Sequence, residues 1–392
     1  MPGSVIVAGA RTPIGKLSGA LASFSAMELG GFAITAALAR ASVAPEDVDY
    51  VFMGHVLQAG QGQITARQAA HNAGIPMTVP ATTVNKVCLS GLNALYLADQ
   101  MIASGDAEVV VAGGMESMTN APYLLPGARA GLRIGDGVVV DSMMLDGLTC
   151  AFDACSMGLA TERYAAGTLT REAQDELAAK SHERAAAAIK EGRFADEIAP
   201  VAVPQRKGDP VLVETDEGVR PGTTVESLGT LKPAFDKQGT ITAGNASQIS
   251  DGAAAVVITS KAKAEELGLS PIAEILSYGQ VAGPDPSLLT QPSRAIRAAL
   301  DKVGIGIGSI DLFELNEAFA AVGLASMADL GIGDDVVNVN GGAIALGHPI
   351  GMSGTRVALT LINELRRRGG GTGAAALCGG GGQGDALLFK TL

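Results

Sequence analysis

The chain repeats itself, and that repeat limits the fold more than any other feature. Residues 33–38 read AITAAL and residues 295–300 read AIRAAL, an offset of 262. At the same offset Val48-Asp49-Tyr50-Val51 meets Ile310-Asp311-Leu312-Phe313. Ser90-Gly91 matches Ser353-Gly354 at 263, and Ala112-Gly113-Gly114 matches Cys378-Gly379-Gly380 at 266. Matches that keep one order along the chain point to two copies of one structural unit. The first copy is split. Its closing strand, GAAAVVITS at 252–260, resembles GDALLFKTL at 384–392, now at an offset of 132. The expected organisation is therefore an N-terminal half of residues 1–119 plus 250–270, an inserted loop domain of residues 120–249, and a C-terminal half of residues 271–392.

Within each copy strands alternate with helices. Strands are expected at 4–8, 49–54 and 108–113, then at 311–315, 336–339 and 374–378. Apolar residues recurring at three and four predict helices at 26–41, 89–104, 291–303, 317–330 and 353–368. Such alternation implies an α/β fold with a mostly parallel sheet covered on both faces. Two βαβ-type halves packed together give a five-layer α-β-α-β-α body, with the loop domain inserted.

Composition narrows the function. A net charge of −12 argues against nucleic acid, whose phosphates need a basic surface. It leaves room for an anionic small molecule held by a few local cations. The N-terminal apolar run lacks the pattern of a signal peptide, and no stretch is apolar for long enough to span a membrane. The four cysteines, Cys88, Cys150, Cys155 and Cys378, are too scattered for a disulfide framework, and no second Cys/His pair joins Cys150 and Cys155 in a zinc set. No metal is expected, and reduced thiols fit a cytoplasmic location.

Four segments carry candidate chemistry. Cys88, in Asn85-Lys86-Val87-Cys88-Leu89-Ser90-Gly91, precedes a predicted helix, where the positive end of the dipole favours a thiolate; the plain alternative is a small buried hydrophobe. His348 lies in a Gly-rich loop, and Pro349 restricts its backbone; an imidazole there could take a proton from Cys88, or could simply be a solvated loop residue. Cys378 begins the run Cys378-Gly379-Gly380-Gly381-Gly382, whose backbone N–H groups could converge on an oxyanion, or merely form a turn. Asn316, in Glu314-Leu315-Asn316-Glu317-Ala318-Phe319, could orient a water or a carbonyl, or could cap a helix.

Together, the N-K-V-C-x-S-G, N-E-A-F, G-G-A-I-A-x-G-H-P-x-G-x-S-G and C-x-G-G-G-x-G blocks resemble the thiolase family along the whole chain. The resemblance implies ping-pong acyl transfer between coenzyme A thioesters, with two acetyl-CoA condensing to acetoacetyl-CoA and the reverse thiolysis. Coenzyme A and acyl-CoA are then substrates, with no tightly bound cofactor. It implies Cys88 as nucleophile, His348 as its activator and Cys378 as acid/base. It also implies oxyanion holes from His348 with a water on Asn316, and from the backbone N–H groups of Cys88 and Gly380. By position in the family pattern, Arg220 and Ser227 face the nucleotide of coenzyme A. Ser247, Leu148, Met157, Phe235, Ala243, Ala318 and Phe319 face the pantetheine or acyl end.

Residues 124–146 resemble the tetramerisation loop of the biosynthetic branch, implying a homotetramer built as a dimer of dimers. Ser156 stands where that branch often has His, which bears on the length of acyl group accepted. A broader 3-ketoacyl-CoA thiolase of fatty-acid degradation is the first alternative. A β-ketoacyl synthase would replace Asn316 by His and lack Cys378. A non-catalytic coenzyme A or lipid carrier of the same fold would have no need of Cys88, Asn316, His348 and Cys378 together.

Overall fold

The computed structural model describes residues 4–392. The first half contributes strands β1 (Ser4–Arg11), β2 (Tyr50–Gly54), β3 (Ala81–Val84), β4 (Val109–Ser117) and β5 (Ser250–Ser260). The second contributes β6 (Ala273–Ala282), β7 (Leu312–Leu315), β8 (Thr372–Gly379) and β9 (Gln383–Thr391). Their spatial orders, β1-β5-β4-β2-β3 and β6-β9-β8-β7, are the same path walked twice. The second path ends at a parallel bridge from Phe313 to Val337, where β3 stands in the first. The two sheets join edge to edge at β1 and β6, where Val5 pairs with Glu274 and Ile6 with Ala273.

A β-bulge repeats in both copies and fixes their register. The β1–β5 ladder slips between Ile6 and Ala8, and the β6–β9 ladder slips between Ile275 and Ser277. Counting from the bulges, Ile258 corresponds to Phe389 and Val110 to Gly373, offsets of 131 and 263. The sequence matches at 132 and 266 are thus displaced from the true register, by one residue and by three. Both fall in Ala/Gly-rich strands, where a short match arises off register from composition alone.

Four strands of the first half run in one direction and β5 runs against them, giving antiparallel ladders on both of its sides. In the second half β9 plays that part, because the turn after Gly379 is too short for a crossover helix.

Helices α1 (Ala26–Ala41) and α2 (Thr65–Asn72) pack with Val109, Val111 and Val257 outside the first sheet. Helix α3 (Ser90–Ser104) and, further along, helices α4 (Met157–Ala165), α5 (Arg171–Lys190), α6 (Gln291–Val303), α7 (Ala320–Leu330) and α8 (Ser353–Arg367) follow. Helix α6 and part of α7 cover the outer face of the second sheet, on Phe313, Leu315, Ala374 and Ala376. Helices α3 and α8 form the middle layer, touching Val110 and Ala112 of one sheet and Ala375 and Leu377 of the other. Alternate residues of one strand face opposite layers, so the five-layer body follows directly from these runs. Being packed between two sheets, α8 buries part of its polar stripe too: Arg356, Thr360 and Glu364 are buried along with Val357, Leu361 and Leu365.

The middle helices meet at their N-terminal ends, and glycine makes the approach possible. A Cβ on Gly91 would sit 2.9 Å from the Gly351 carbonyl oxygen and from the Thr355 backbone nitrogen. A Cβ on Gly354, one repeat away, would collide with the Leu92 backbone nitrogen. The repeat therefore brings two helix N-termini, and the loops that precede them, to one place.

Candidate active site

Cys88 and His348 sit in those two loops. Val87 takes a left-handed backbone, φ +51°, which costs a β-branched residue about 1–3 kcal/mol. The turn is held by Ser90, whose Oγ accepts from Lys86 N–H at 2.8 Å and donates to the Val87 carbonyl at 2.6 Å. Lys86 Nζ is tied to Asp385 at 2.7 Å, which fastens the Cys88 loop to the strand after the glycine turn. Asp385 is buried, and burial raises its carboxyl while Lys86 opposes the rise.

The sulfur of Cys88 faces its own backbone N–H and that of Gly380. Burial pushes the thiol up to about 12; its own N–H opposes this, the charge of Glu116 adds to it, and the Gly380 N–H opposes it. Burial thus works against the preference for thiolate that a helix start gives. Nucleophile formation must be coupled to proton transfer. Cys378 is buried in the neighbouring strand β8, and its thiol is raised by burial first and by the nearby Cys88 second.

His348 lies two residues before Ile350, which packs against Cys88. Ser353 Oγ donates to the Pro349 carbonyl at 2.9 Å, so it accepts from His348 Nδ1–H at 2.5 Å. Nε2 is then the unprotonated nitrogen, and it lies 3.4 Å from Asn316 Nδ2. Burial, then the charge of Arg356, lowers His348 to about 3, which keeps the ring neutral. Asn316 Oδ1 is buried with no partner among the described residues. An acceptor left so costs about 1–3 kcal/mol, and it fits a water or a substrate donor.

Two apolar clusters flank these groups. Cys88 and Leu148 pack with Val56, Leu57, Met118 and Ile350. Cys378, Met157, Ala318 and Phe319 pack with Ala246 and Leu288. Phe235 lies edge-on to Phe319 at 6.1 Å, and Gly158 leaves room for its ring, since a Cβ there would overlap it. Ser247 donates its backbone N–H to the Ala318 carbonyl at 3.0 Å. Ala243 is exposed, next to Gly244, which packs under Leu228 and Leu231. Ser227 is exposed on the adjoining short helix, where its side chain closes a capping box with Thr224.

Arg220 is exposed two residues from Gly218, which abuts Ala345 and Gln248. The Gln248 carbonyl accepts from His348 N–H at 3.0 Å. Arg220 N–H donates to His182 Nδ1 at 3.2 Å, and burial, then the Arg220 charge, pushes His182 down to about 4. Arg220, Ser227 and Ala243 lie outside the apolar clusters that hold Cys88 and Cys378.

Sequence reasoning missed Glu116. Its buried carboxylate accepts from Val56 N–H and Leu57 N–H at 3.1 Å and from Gly351 N–H at 2.9 Å, with His55 Nε2 at 3.3 Å. It fixes the loop after β2 and the turn before α8 beneath Cys88. A glutamate inside an apolar strand, Val-Val-Val-Ala-Gly-Gly-Met-Glu, was the available signal.

A family model described as "Thiolase, N-terminal domain" matches residues 4–262, and one described as "Thiolase, C-terminal domain" matches residues 269–391. A probable acetyl-CoA acetyltransferase of Mycolicibacterium smegmatis is 58% identical over 98% of this chain and 100% of its own length. An acetyl-CoA acetyltransferase of Cupriavidus necator is 54% identical over 98% of each chain. The crystal structure of the Bacillus anthracis acetyl-CoA acetyltransferase superposes with a TM-score of 0.97 at 42% identity, covering 100% of this chain and 99% of that one.

Proposed function

The chain belongs to the thiolase family of acyltransferases, and from that premise we propose that it is an acetyl-CoA C-acetyltransferase working through an acetyl-Cys88 intermediate. The observation that carries this reading is the convergence of two thiols, a neutral imidazole and two backbone N–H groups at the crossing of α3 and α8.

In the first half-reaction His348 Nε2 takes the Cys88 proton as sulfur attacks the thioester carbonyl. The C–S bond to coenzyme A breaks and its sulfur leaves as a thiolate, which takes the Cys378 proton, while His348 keeps the Cys88 proton on Nε2. The acyl oxygen then faces the N–H groups of Cys88 and Gly380. In the second, Cys378 removes an α-proton from another acetyl-CoA, whose enolate oxygen is met by His348 Nε2–H and a water on Asn316. The carbanion attacks acetyl-Cys88, a C–C bond forms, the C–S bond breaks, and the Cys88 sulfur leaves with the proton returned by His348 Nε2. Thiolysis runs the same steps backwards.

Ser247, Leu148, Met157, Phe235, Ala243, Ala318 and Phe319 line the path of the pantetheine and acyl group. Ser156 uses its Oγ to cap α4, accepting from Leu159 N–H at 3.3 Å, so it offers the acyl group less bulk than an imidazole. Thiolysis followed by mass spectrometry across 3-ketoacyl-CoAs of increasing length tests this reading. The four-carbon substrate should have the highest kcat/KM. A value that climbs with length would instead make the chain a degradative 3-ketoacyl-CoA thiolase.

The inserted segment, residues 120–249, is assigned to coenzyme A and to assembly. Arg220 and Ser227 are placed at the nucleotide. Arg220→Ala is expected to raise KM for acetyl-CoA roughly tenfold, the loss of one charge-assisted hydrogen bond of about 1.5 kcal/mol. Turnover of an acyl-pantetheine lacking the nucleotide should stay unchanged. Equal effects on both substrates would remove Arg220 from the nucleotide site.

The hairpin pairing Tyr123–Leu124 with Val140–Asp141 carries exposed Tyr123, Leu132, Ile134, Val138 and Val139. So much exposed apolar surface on one excursion marks a contact between subunits, and supports a homotetramer. Trimming residues 124–146 should leave an active dimer by light scattering. A full-length chain that is monomeric at micromolar concentration would contradict the assignment.

A further inference from the structure

We propose that Cys150 and Cys155 form a reversible dithiol–disulfide site beside the acyl pocket, oxidised by a peroxide. Both are free thiols, Cys150 buried and Cys155 partly exposed. They stand directly opposite each other in a short antiparallel ladder, Thr149 with Ser156 and Cys150 with Cys155. Directly opposed residues present side chains on one face with Cα atoms about 4.5–5.5 Å apart. A disulfide spans roughly 4.4–6.8 Å, so the bond needs little backbone movement.

The connecting turn is already held. Asp153 N–H donates to Cys150 Sγ at 3.3 Å, and Ala154 takes a left-handed backbone, φ +50°. Arg163 Nη1 donates to Cys155 Sγ at 3.6 Å. The accessible sulfur thus has a cation beside it, and the buried sulfur faces it across the ladder.

The chemistry balances with one hydrogen peroxide. The Cys155 sulfur attacks a peroxide oxygen, the O–O bond breaks, and a sulfenic acid and a water result. The Cys150 sulfur then attacks the Cys155 sulfur, and the S–O bond breaks. The leaving hydroxide takes the Cys150 proton as a second water. The two thiols lose two electrons and two protons together, and a dithiol reductant restores them.

The ladder starts at the residue after Leu148 and ends at the residue before Met157. At its tip Phe152 lies over the glycine turn, where a Cβ on Gly381 would come within 3.0 Å of the ring. The bond would therefore fasten the strip that carries two pocket residues and the ring against that turn. The site rests on the pairing of the two cysteines, whichever acyl-CoA the enzyme takes.

The test uses the full chain. It is treated with an equimolar amount of hydrogen peroxide, blocked with N-ethylmaleimide and digested with trypsin, and the peptide of residues 134–163, which holds both cysteines, is weighed. We expect that peptide to lose two hydrogens and to carry no maleimide. Dithiothreitol before blocking should restore two maleimides, and Cys155→Ser should abolish the two-hydrogen loss. Two maleimides after peroxide, or added oxygen on one cysteine without the bond, would overturn the proposal.

Discussion

Replacing Cys378 by alanine is expected to leave acetylation of Cys88 nearly intact while condensation and thiolysis fall by about 10²–10⁴-fold, the usual contribution of a positioned acid or base. Acylation needs the nucleophile, His348 and the N–H groups of Cys88 and Gly380, and a methyl group at position 378 disturbs none of them. Bond formation between carbons needs an α-proton removed, which alanine cannot do. The same variant should lose exchange of α-protons for deuterium.

Cys378→Ser should behave like the alanine variant, because a hydroxyl is far too weak an acid to serve as the base. Near-normal condensation by either variant would reduce Cys378 to packing behind the glycine turn.

Cys88→Ala is expected to abolish both half-reactions, a loss of at least about 10⁴-fold, since the covalent route itself disappears. It should still bind acetyl-CoA with little change, because alanine replaces a partly exposed thiol and relaxes none of the contacts made by Ser90, Lys86 or Glu116. Saturation measured by calorimetry together with absent turnover is the expected pair of results. Retained α-proton exchange in this variant would assign that exchange to Cys378 alone. Appreciable turnover would mean that another group carries the acyl unit.

Much of this architecture was legible in the sequence. The offset of 262 between AITAAL and AIRAAL anticipated a duplicated α/β unit, and the helix periods anticipated α1, α3, α6 and α8 to within a residue or two. The register was not legible. It depends on paired bulges at Val7 and Leu276, and a bulge leaves no mark in strands as uniform as Val-Ile-Val-Ala. The edge pairing of β1 with β6 was hidden for the same reason, since backbone hydrogen bonds ask nothing of side-chain identity.

At the site, Cys88, Asn316, His348 and Cys378 stood out as polar or reactive residues next to glycine turns. Glu116 did not, because its partners are backbone N–H groups from segments far apart in the chain. A helix N-terminus favours a thiolate, yet the apolar wall of Leu57, Met118 and Ile350 around Cys88, which opposes it, was not foreseeable from Asn85-Lys86-Val87-Cys88. A thiol so buried needs a base, and His348, held by Ser353 with Nε2 unprotonated, supplies one.

Trapping the intermediate tests most directly whether Cys88 takes the acyl group. The enzyme is mixed with acetyl-CoA, quenched in acid before a second substrate molecule can react, and mapped by peptide mass spectrometry. One acetyl group on Cys88, absent from His348→Ala under the same quench, is the expected result. An acetyl group on Cys150, Cys155 or Cys378 with Cys88 unmodified would contradict it.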